Sequence, residues 1–112
     1  MKIYIFCLLA LGAFNVKAAS TWSYGNVKIV ESYSDYAFIQ WNGSNTQSCS
    51  KNVVYFSTST LGSEKAFDRG FSLALTALTT GKPIRFKLNG CYGERLNADV
   101  VQICADDDCS HG

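Results

Sequence analysis

One change of hydrophobic period organises the chain. Phe67, Phe71, Ala74, Leu75 and Leu78 recur at i, i+4, i+7, i+8 and i+11, which lays them along one stripe of an α-helix. Glu64, Lys65, Asp68 and Arg69 lie around the rest of its first turns. The flanking residues agree with a helix. Ser63 is placed to cap the first free amides, Glu64 and Asp68 sit near the positive end of the dipole, Gly81 can take the left-handed position after the last turn, and Pro83 prevents continuation. Gly70 inside the helix costs about 1 kcal/mol against alanine, which points to close contact with a neighbouring strand or subunit.

On both sides of this helix the pattern is that of strands. Val27 to Glu31 alternates apart from Val30 and ends at the turn Tyr33-Ser34-Asp35; Tyr36 to Trp41 follows, rich in aromatic and β-branched residues, and the pair reads as a hairpin. Asn42-Gly43-Ser44-Asn45 breaks the chain, and Asn52-Val53-Val54-Tyr55-Phe56 reads as a third, well-buried strand. After the helix, Ile84 to Leu88 alternates cleanly. Asn89-Gly90 is the strongest two-residue turn signal, although Cys91-Tyr92-Gly93 points to a longer loop. Leu96 to Val100 alternates again, and Val101 and Ile103 then take the opposite phase, as a bulge or a stretch buried on both faces would require. The expected fold is mainly β with one α-helix: a small five-stranded antiparallel OB-like barrel in the order β-β-β-α-β-β, carrying disulfides.

The first 18 residues stand apart. Met1-Lys2 is a positive n-region, Ile3 to Phe14 is apolar, and Asn15-Val16-Lys17-Ala18 presents the small residue that signal peptidase prefers. Residues 1–18 are therefore expected to be a signal peptide, removed near Ala18, and residues 19–112 a single domain that is secreted or periplasmic. A membrane anchor needs ~20 apolar residues; Asn15 and Lys17 interrupt this run well before that. Of the 10 basic residues Lys2 and Lys17 leave with the leader, so 8 remain against 9 acidic ones, a net charge of −1. That balance does not favour nucleic acid, although Lys28, Lys82, Arg85 and Lys87 would be the residues of a cationic patch.

Cys7 also leaves, and Cys49, Cys91, Cys104 and Cys109 form an even set in a small exported domain, which reads as a disulfide framework. Four cysteines allow three connectivities, and spacing does not choose among them. Cys49 precedes the third strand and Cys91 follows the fourth; a bridge between them would close a loop of about 43 residues and restrict the unfolded chain by ~4 kcal/mol. Cys104 with Cys109 would close a short loop worth ~2 kcal/mol and pin the tail. A metal site at Cys104-x4-Cys109-x-His111 would need a further ligand from Asp106, Asp107 or Asp108, which read more simply as a solvated charge run; those aspartates also lack the glycine and the later glutamate of a calcium loop. No metal and no cofactor are expected.

Signals for catalysis are weak. His111, the single histidine, lies one residue from the C-terminus, where chains fray. Glu31, Asp35, Glu94 and Asp99 read as surface solubilisers rather than paired catalytic carboxylates. Phosphate loops and metalloprotease helices are absent. The chain is therefore not expected to be an enzyme. Its positive feature is aromatic: Phe38, Phe56, Phe67, Phe71 and Phe86 suffice for a core, while Trp22, Tyr24, Tyr33, Trp41 and Tyr92 fall at strand ends and turns. Tyrosine and tryptophan offer a flat apolar face with a polar edge, which suits sugar rings or a protein interface.

The stretch Cys49-Ser50-Lys51, the run from Ala77 through Thr79-Thr80-Gly81-Lys82-Pro83 to Phe86, and Asn97 to Cys104 with a second cysteine five residues on resemble the binding subunits of subtilase-cytotoxin and pertussis-like typhoid toxins. They also resemble a set of small exported bacterial proteins in which a Gly-Cys pair like Gly90-Cys91 follows the post-helix strand. The resemblance implies an OB-fold B subunit, a homo-oligomeric ring of five around a pore lined by the helices, glycan recognition on the outer face and a toxic A-type partner subunit. The sugar-contacting serine of those toxins falls near Gly25 and their tyrosine at Leu88, so that pair is not carried over. In the toxins the counterpart of Cys49 pairs with a cysteine of the second strand, where this chain has Ile39 or Gln40; Cys91 is the replacement partner. The expected function is a non-catalytic binding module of toxin B-subunit type that recognises glycan through Trp22, Tyr24, Tyr33 and Tyr92. The alternative is a structural or protein-interaction domain without a sugar site.

Overall fold

A computed structural model describes residues 19–105 and Cys109. Residues 1–18, the expected signal peptide, lie outside the described residues, as do Asp106 to Asp108 and His111. The elements are β1 (Thr21–Gly25), β2 (Val27–Ser32), β3 (Tyr36–Trp41), β4 (Val53–Ser57), a short helix α1 (Thr58–Leu61), the long helix α2 (Glu64–Thr80), β5 (Ile84–Tyr92) and β6 (Arg95–Ile103). The protein is mainly β with one long helix and two disulfides.

The five antiparallel strands expected are six, in one mixed sheet of order β1-β5-β6-β4-β3-β2. The extra strand is β1, where Trp22 and Tyr24 point outward and Ser23 is buried, a short alternation with aromatics on its outer face. The β4–β6 pair is parallel, with Val54 opposite Leu96 and Tyr55 opposite Asn97; the other pairs are antiparallel. The two strands at the ends of the order, β1 and β2, are consecutive in the chain with Asn26 between them. One bent strand therefore bonds at both edges, and the sheet curls around its inner residues.

That interior holds Ala37, Ile39 and Trp41 of β3, Val54 and Phe56 of β4, Ile84, Phe86 and Leu88 of β5, and Leu96 and Ala98 of β6. Trp41 is buried, with its indole N–H donating to Asn52 Oδ1 at 3.1 Å, and does not stand at a free strand end as expected. Conversely, Phe38 is absent from the core: Ala37, Ile39 and Trp41 occupy the inward phase of β3, so Phe38 faces out. The phase change in β6 is a bulge. Val100 pairs with Lys87 and Ala98 with Leu88, leaving Asp99 as the extra residue, after which Val101 and Ile103 share the inner face with Leu96 and Ala98.

The long helix begins and ends where local chemistry requires. The Ser63 hydroxyl accepts from Ala66 N at 3.0 Å, and Gly81 takes φ 78° with its N–H donating to Ala77 O. Its buried face is not the expected stripe, however. Phe67, Gly70, Ala74 and Ala77 face the core, Phe71 packs at its margin, and Leu75 and Leu78 are 41% and 40% exposed. Small residues bring the helix close to its neighbours: a Cβ on Gly70 would lie 2.9 Å from Leu61 Cδ1 and 3.3 Å from Val101 Cγ2. The Asn89-Gly90 turn signal is also overridden. β5 continues to Tyr92 with a register shift between Leu88 and Cys91, and the chain reverses at Gly93-Glu94 instead.

Both disulfides pair as Cys49–Cys91 and Cys104–Cys109, with Cα atoms 5.7 and 5.4 Å apart. The first spans a sequence separation of 42 and the second of 5, so replacing Cys49 and Cys91 together by alanine is expected to lower unfolding free energy by about 4 kcal/mol, against about 2 kcal/mol for Cys104 and Cys109. Urea titration of the two double variants checks this order, and equal losses would contradict it.

Candidate functional site

Outward-facing rings of β3 and β4 form a continuous aromatic surface. Tyr36 and Phe38 alternate with the buried residues of β3, and Tyr55 of β4 lies opposite Phe38 in the register. The turn before β3 adds Tyr33, held by its N–H donating to Tyr36 O at 2.9 Å. Tyr92, which ends β5, and Arg95, which begins β6, pair across the intervening turn and join this surface. Tyr33 stacks on Tyr36 with centroids 4.7 Å apart, and Tyr92 stacks on Tyr55 at 4.0 Å, each pair within 7° of parallel. Phe38 stands edge-on to Tyr33 at 5.6 Å and to Tyr36 at 5.5 Å, and the Arg95 guanidinium lies 4.1 Å from the Phe38 centroid. Each ring pair adds about 0.5–1.5 kcal/mol beyond its buried area, so the rings hold one another in place before any ligand arrives.

Between them is a cleft of about 240 Å³ lined by Tyr36, Phe38, Tyr55 and Tyr92. Tyr33 and Tyr92 remain 45% and 57% exposed, so their free faces can receive a ring. Burial is the main cause that pushes the Tyr55 phenol above its ordinary 10.0; Tyr92 raises it further and a hydrogen bond with Ser57 opposes the rise. Tyr55 therefore keeps its proton and can donate a hydrogen bond at any physiological pH.

The four aromatic residues expected to form one site fall into two groups. Tyr33 and Tyr92 belong to the surface just described. Trp22 and Tyr24 lie on β1, opposite Lys87 and Arg85 of β5, where the Arg85 guanidinium sits 4.2 Å from a Trp22 ring centroid. Arg85 is only 7% exposed; its Nε donates to Gln102 Oε1 at 2.8 Å and its Nη1 to Cys109 O at 3.4 Å. It is thus a packed cation under Trp22 and not part of an open basic patch. Tyr36, Phe38, Tyr55 and Arg95 were not anticipated as site residues. The signal was present in the period-two phase of β3, in which Ala37 and Ile39 claim the interior and leave Tyr36 and Phe38 outside.

Among the described residues, no three His, Cys, Asp or Glu side chains converge as metal ligands, and no helix is long and apolar enough to cross a membrane. A family model described as a family of unknown function, DUF5992, matches residues 2–105. No curated protein and no solved structure matches the chain.

Because the raised Tyr55 phenol favours the protonated folded state, the unfolded chain loses this proton first, and folding stability falls as pH rises past 10.0. Alkaline absorbance titration is expected to show one tyrosinate forming later than the rest. Tyr55→Phe removes that late step, and Tyr92→Ala, by uncovering Tyr55, moves it to lower pH. A late step that survives in Tyr55→Phe would contradict the assignment.

Proposed function

The chain belongs to the DUF5992 family, and from this starting point we propose that it is an exported, non-catalytic binding module of toxin B-subunit type, built as an OB-like barrel and recognising glycan through the aromatic surface of β3 and β4. Counting β1 and β2 as halves of one bent strand, the order becomes strand 1-4-5-3-2-1 with strands 3 and 5 parallel. On OB-folds, oligosaccharides and oligonucleotides bind the face of strands 2 and 3 and the loops after strands 1 and 4. Tyr36, Phe38 and Tyr55 occupy that face here, while Tyr33 comes from the first of those loops and Tyr92 ends β5 at the edge of the second. This coincidence of aromatic rings with the face carries the reading. Two disulfides support an oxidising, exported setting.

Glycan is favoured over nucleic acid by charge. Single strands need a groove of cations beside the stacking rings. The rings here contact one cation, Arg95 on Phe38, and nearby Lys51 is held by Glu94 at 3.2 Å. A second reading, a protein-interaction or oligomerising domain, rests on Leu75 and Leu78, whose exposure on the long helix would suit subunit contacts in a ring of five.

Glycan-array binding by the mature chain is the test. Binding to a defined subset of glycans is expected, lowered about tenfold by Tyr36→Ala or Tyr92→Ala, or ~1.4 kcal/mol, and retained in Trp22→Ala. A flat array, or binding to single-stranded oligonucleotide instead, would overturn the glycan reading. Light scattering addresses the second: a ring is expected, dispersed by Leu75→Glu with Leu78→Glu.

A further inference from the structure

A second cleft, separate from the aromatic surface, opens between the long helix, α1 and β6. It measures about 270 Å³, and Leu61, Gly70, Leu73 and Val101 give it apolar walls while Arg69 and Asp99 line it with opposite charges. Its shape depends on two unusual residues. Gly70 leaves out a side chain whose first carbon would already press on Leu61 and Val101. Asp99 is the extra residue of the β6 bulge, and bulges redirect single side chains beside sites.

Asp99 also departs from its expected place as a surface solubiliser. Its Oδ1 is buried and accepts no hydrogen bond from the protein. A buried acceptor left this way destabilises a fold by about 1–3 kcal/mol, and asparagine or an apolar residue would avoid the burden of its charge. Two other described atoms share the condition, Arg95 Nε and Asn97 Oδ1, but neither residue lines this cleft. Nor does Arg69 neutralise Asp99: among the described residues the one salt bridge is Lys51–Glu94. Asp99 and Arg69 thus line one small cleft with opposite charges and form no salt bridge with each other.

We infer that this cleft binds a small zwitterion with a short aliphatic chain, the chemistry of a free aliphatic amino acid. The ligand ammonium donates to Asp99, its carboxylate meets the Arg69 guanidinium, and its side chain lies among Leu61, Leu73 and Val101. The volume suits a ligand of this size, and the cleft shares no lining residue with the aromatic surface, so the site is independent of the glycan reading.

The test is a heteronuclear NMR titration of the mature chain with L-leucine, with leucinol lacking the carboxylate and isocaproate lacking the ammonium. Saturable shifts of the Gly70, Asp99 and Val101 amides are expected with leucine, and roughly tenfold weaker binding with either analogue. Asp99→Asn is expected to weaken leucine roughly tenfold while melting at the same or a higher temperature, since it removes the charge from a group whose Oδ1 is buried without a hydrogen bond. Arg69→Gln is expected to reduce leucine to the level of leucinol. No saturable shift with leucine, equal binding of isocaproate, or undiminished binding by a folded Asp99→Asn variant would each overturn the proposal.

Discussion

The bend at Asn26 is the constraint on which the rest of the structure depends. A single strand can bond at both edges of the sheet because β1 and β2 change direction where the chain passes the Asn42-Gly43 loop at very close range. A Cβ on Gly25 would fall 2.4 Å from Gly43 N, so neither position admits a side chain. Asn26 N donates to Asn42 Oδ1 at 2.7 Å, Asn42 N donates to Asn26 O at 3.2 Å, and Asn26 Nδ2 reaches Gly81 O at the end of the long helix at 3.1 Å. Gly43 itself lies against the Trp41 ring, and Asn52 joins both by accepting from the indole and donating to Gly43 O at 2.7 Å. Closing the sheet assigns every strand an inside and an outside. The outside of β3 and β4 is then free to be aromatic, because Phe56, Phe86, Trp41 and Phe67 already fill the interior.

A second cluster couples the covalent framework to the candidate site. Gln47, buried, accepts from Gly90 N at 2.9 Å and donates to Ala19 O and Thr21 Oγ1, both at 3.0 Å. Together with the Cys49–Cys91 bridge it fixes the end of β5 against the start of β1 and the loop before β4. Tyr92 is the residue after Cys91, so the same clamp sets where its ring lies on Tyr55. The disulfide that restricts the unfolded chain also pre-positions an exposed ring, and on the proposed binding role little ordering entropy would be lost when a ligand docks.

Features decided by local chemistry were legible in the sequence. Ser63, Gly81 and Pro83 delimit the long helix because capping and φ depend on residues a few positions apart, and the β6 bulge is readable because Val101 and Ile103 break the phase of Leu96 and Ala98. Features decided by register or by close approach were not. Phe38 looks like core by composition; the period-two phase of β3 offers both faces, and the burial of Ala37 and Ile39 is what selects the outer one for Phe38. Trp41 looks like a loop aromatic until Gly43 folds over it. Leu75 and Leu78 continue an apolar stripe, yet the helix lies too near Leu61 and Val101 for large side chains, and Gly70, Ala74 and Ala77 take the contact. Of the candidate site, Tyr33 and Tyr92 could be read from their turns, whereas Trp22 and Tyr24 belong to a strand whose role in closing the sheet depends on β5, some sixty residues away.

The rings of β3, β4 and their flanking turns are proposed as a preformed binding surface, set apart from the Trp22 packing over Arg85. Photochemically induced nuclear polarisation of the mature chain, free and saturated with its strongest array glycan, tests this most directly because it reports each accessible tyrosine and tryptophan. The account predicts polarised Trp22, Tyr24, Tyr33 and Tyr92 and silent Trp41 and Tyr55 in the free chain, with Tyr33 and Tyr92 alone extinguished by glycan. Loss of Trp22 and Tyr24 in place of Tyr33 and Tyr92, or a polarised Trp41 before ligand is added, would contradict it.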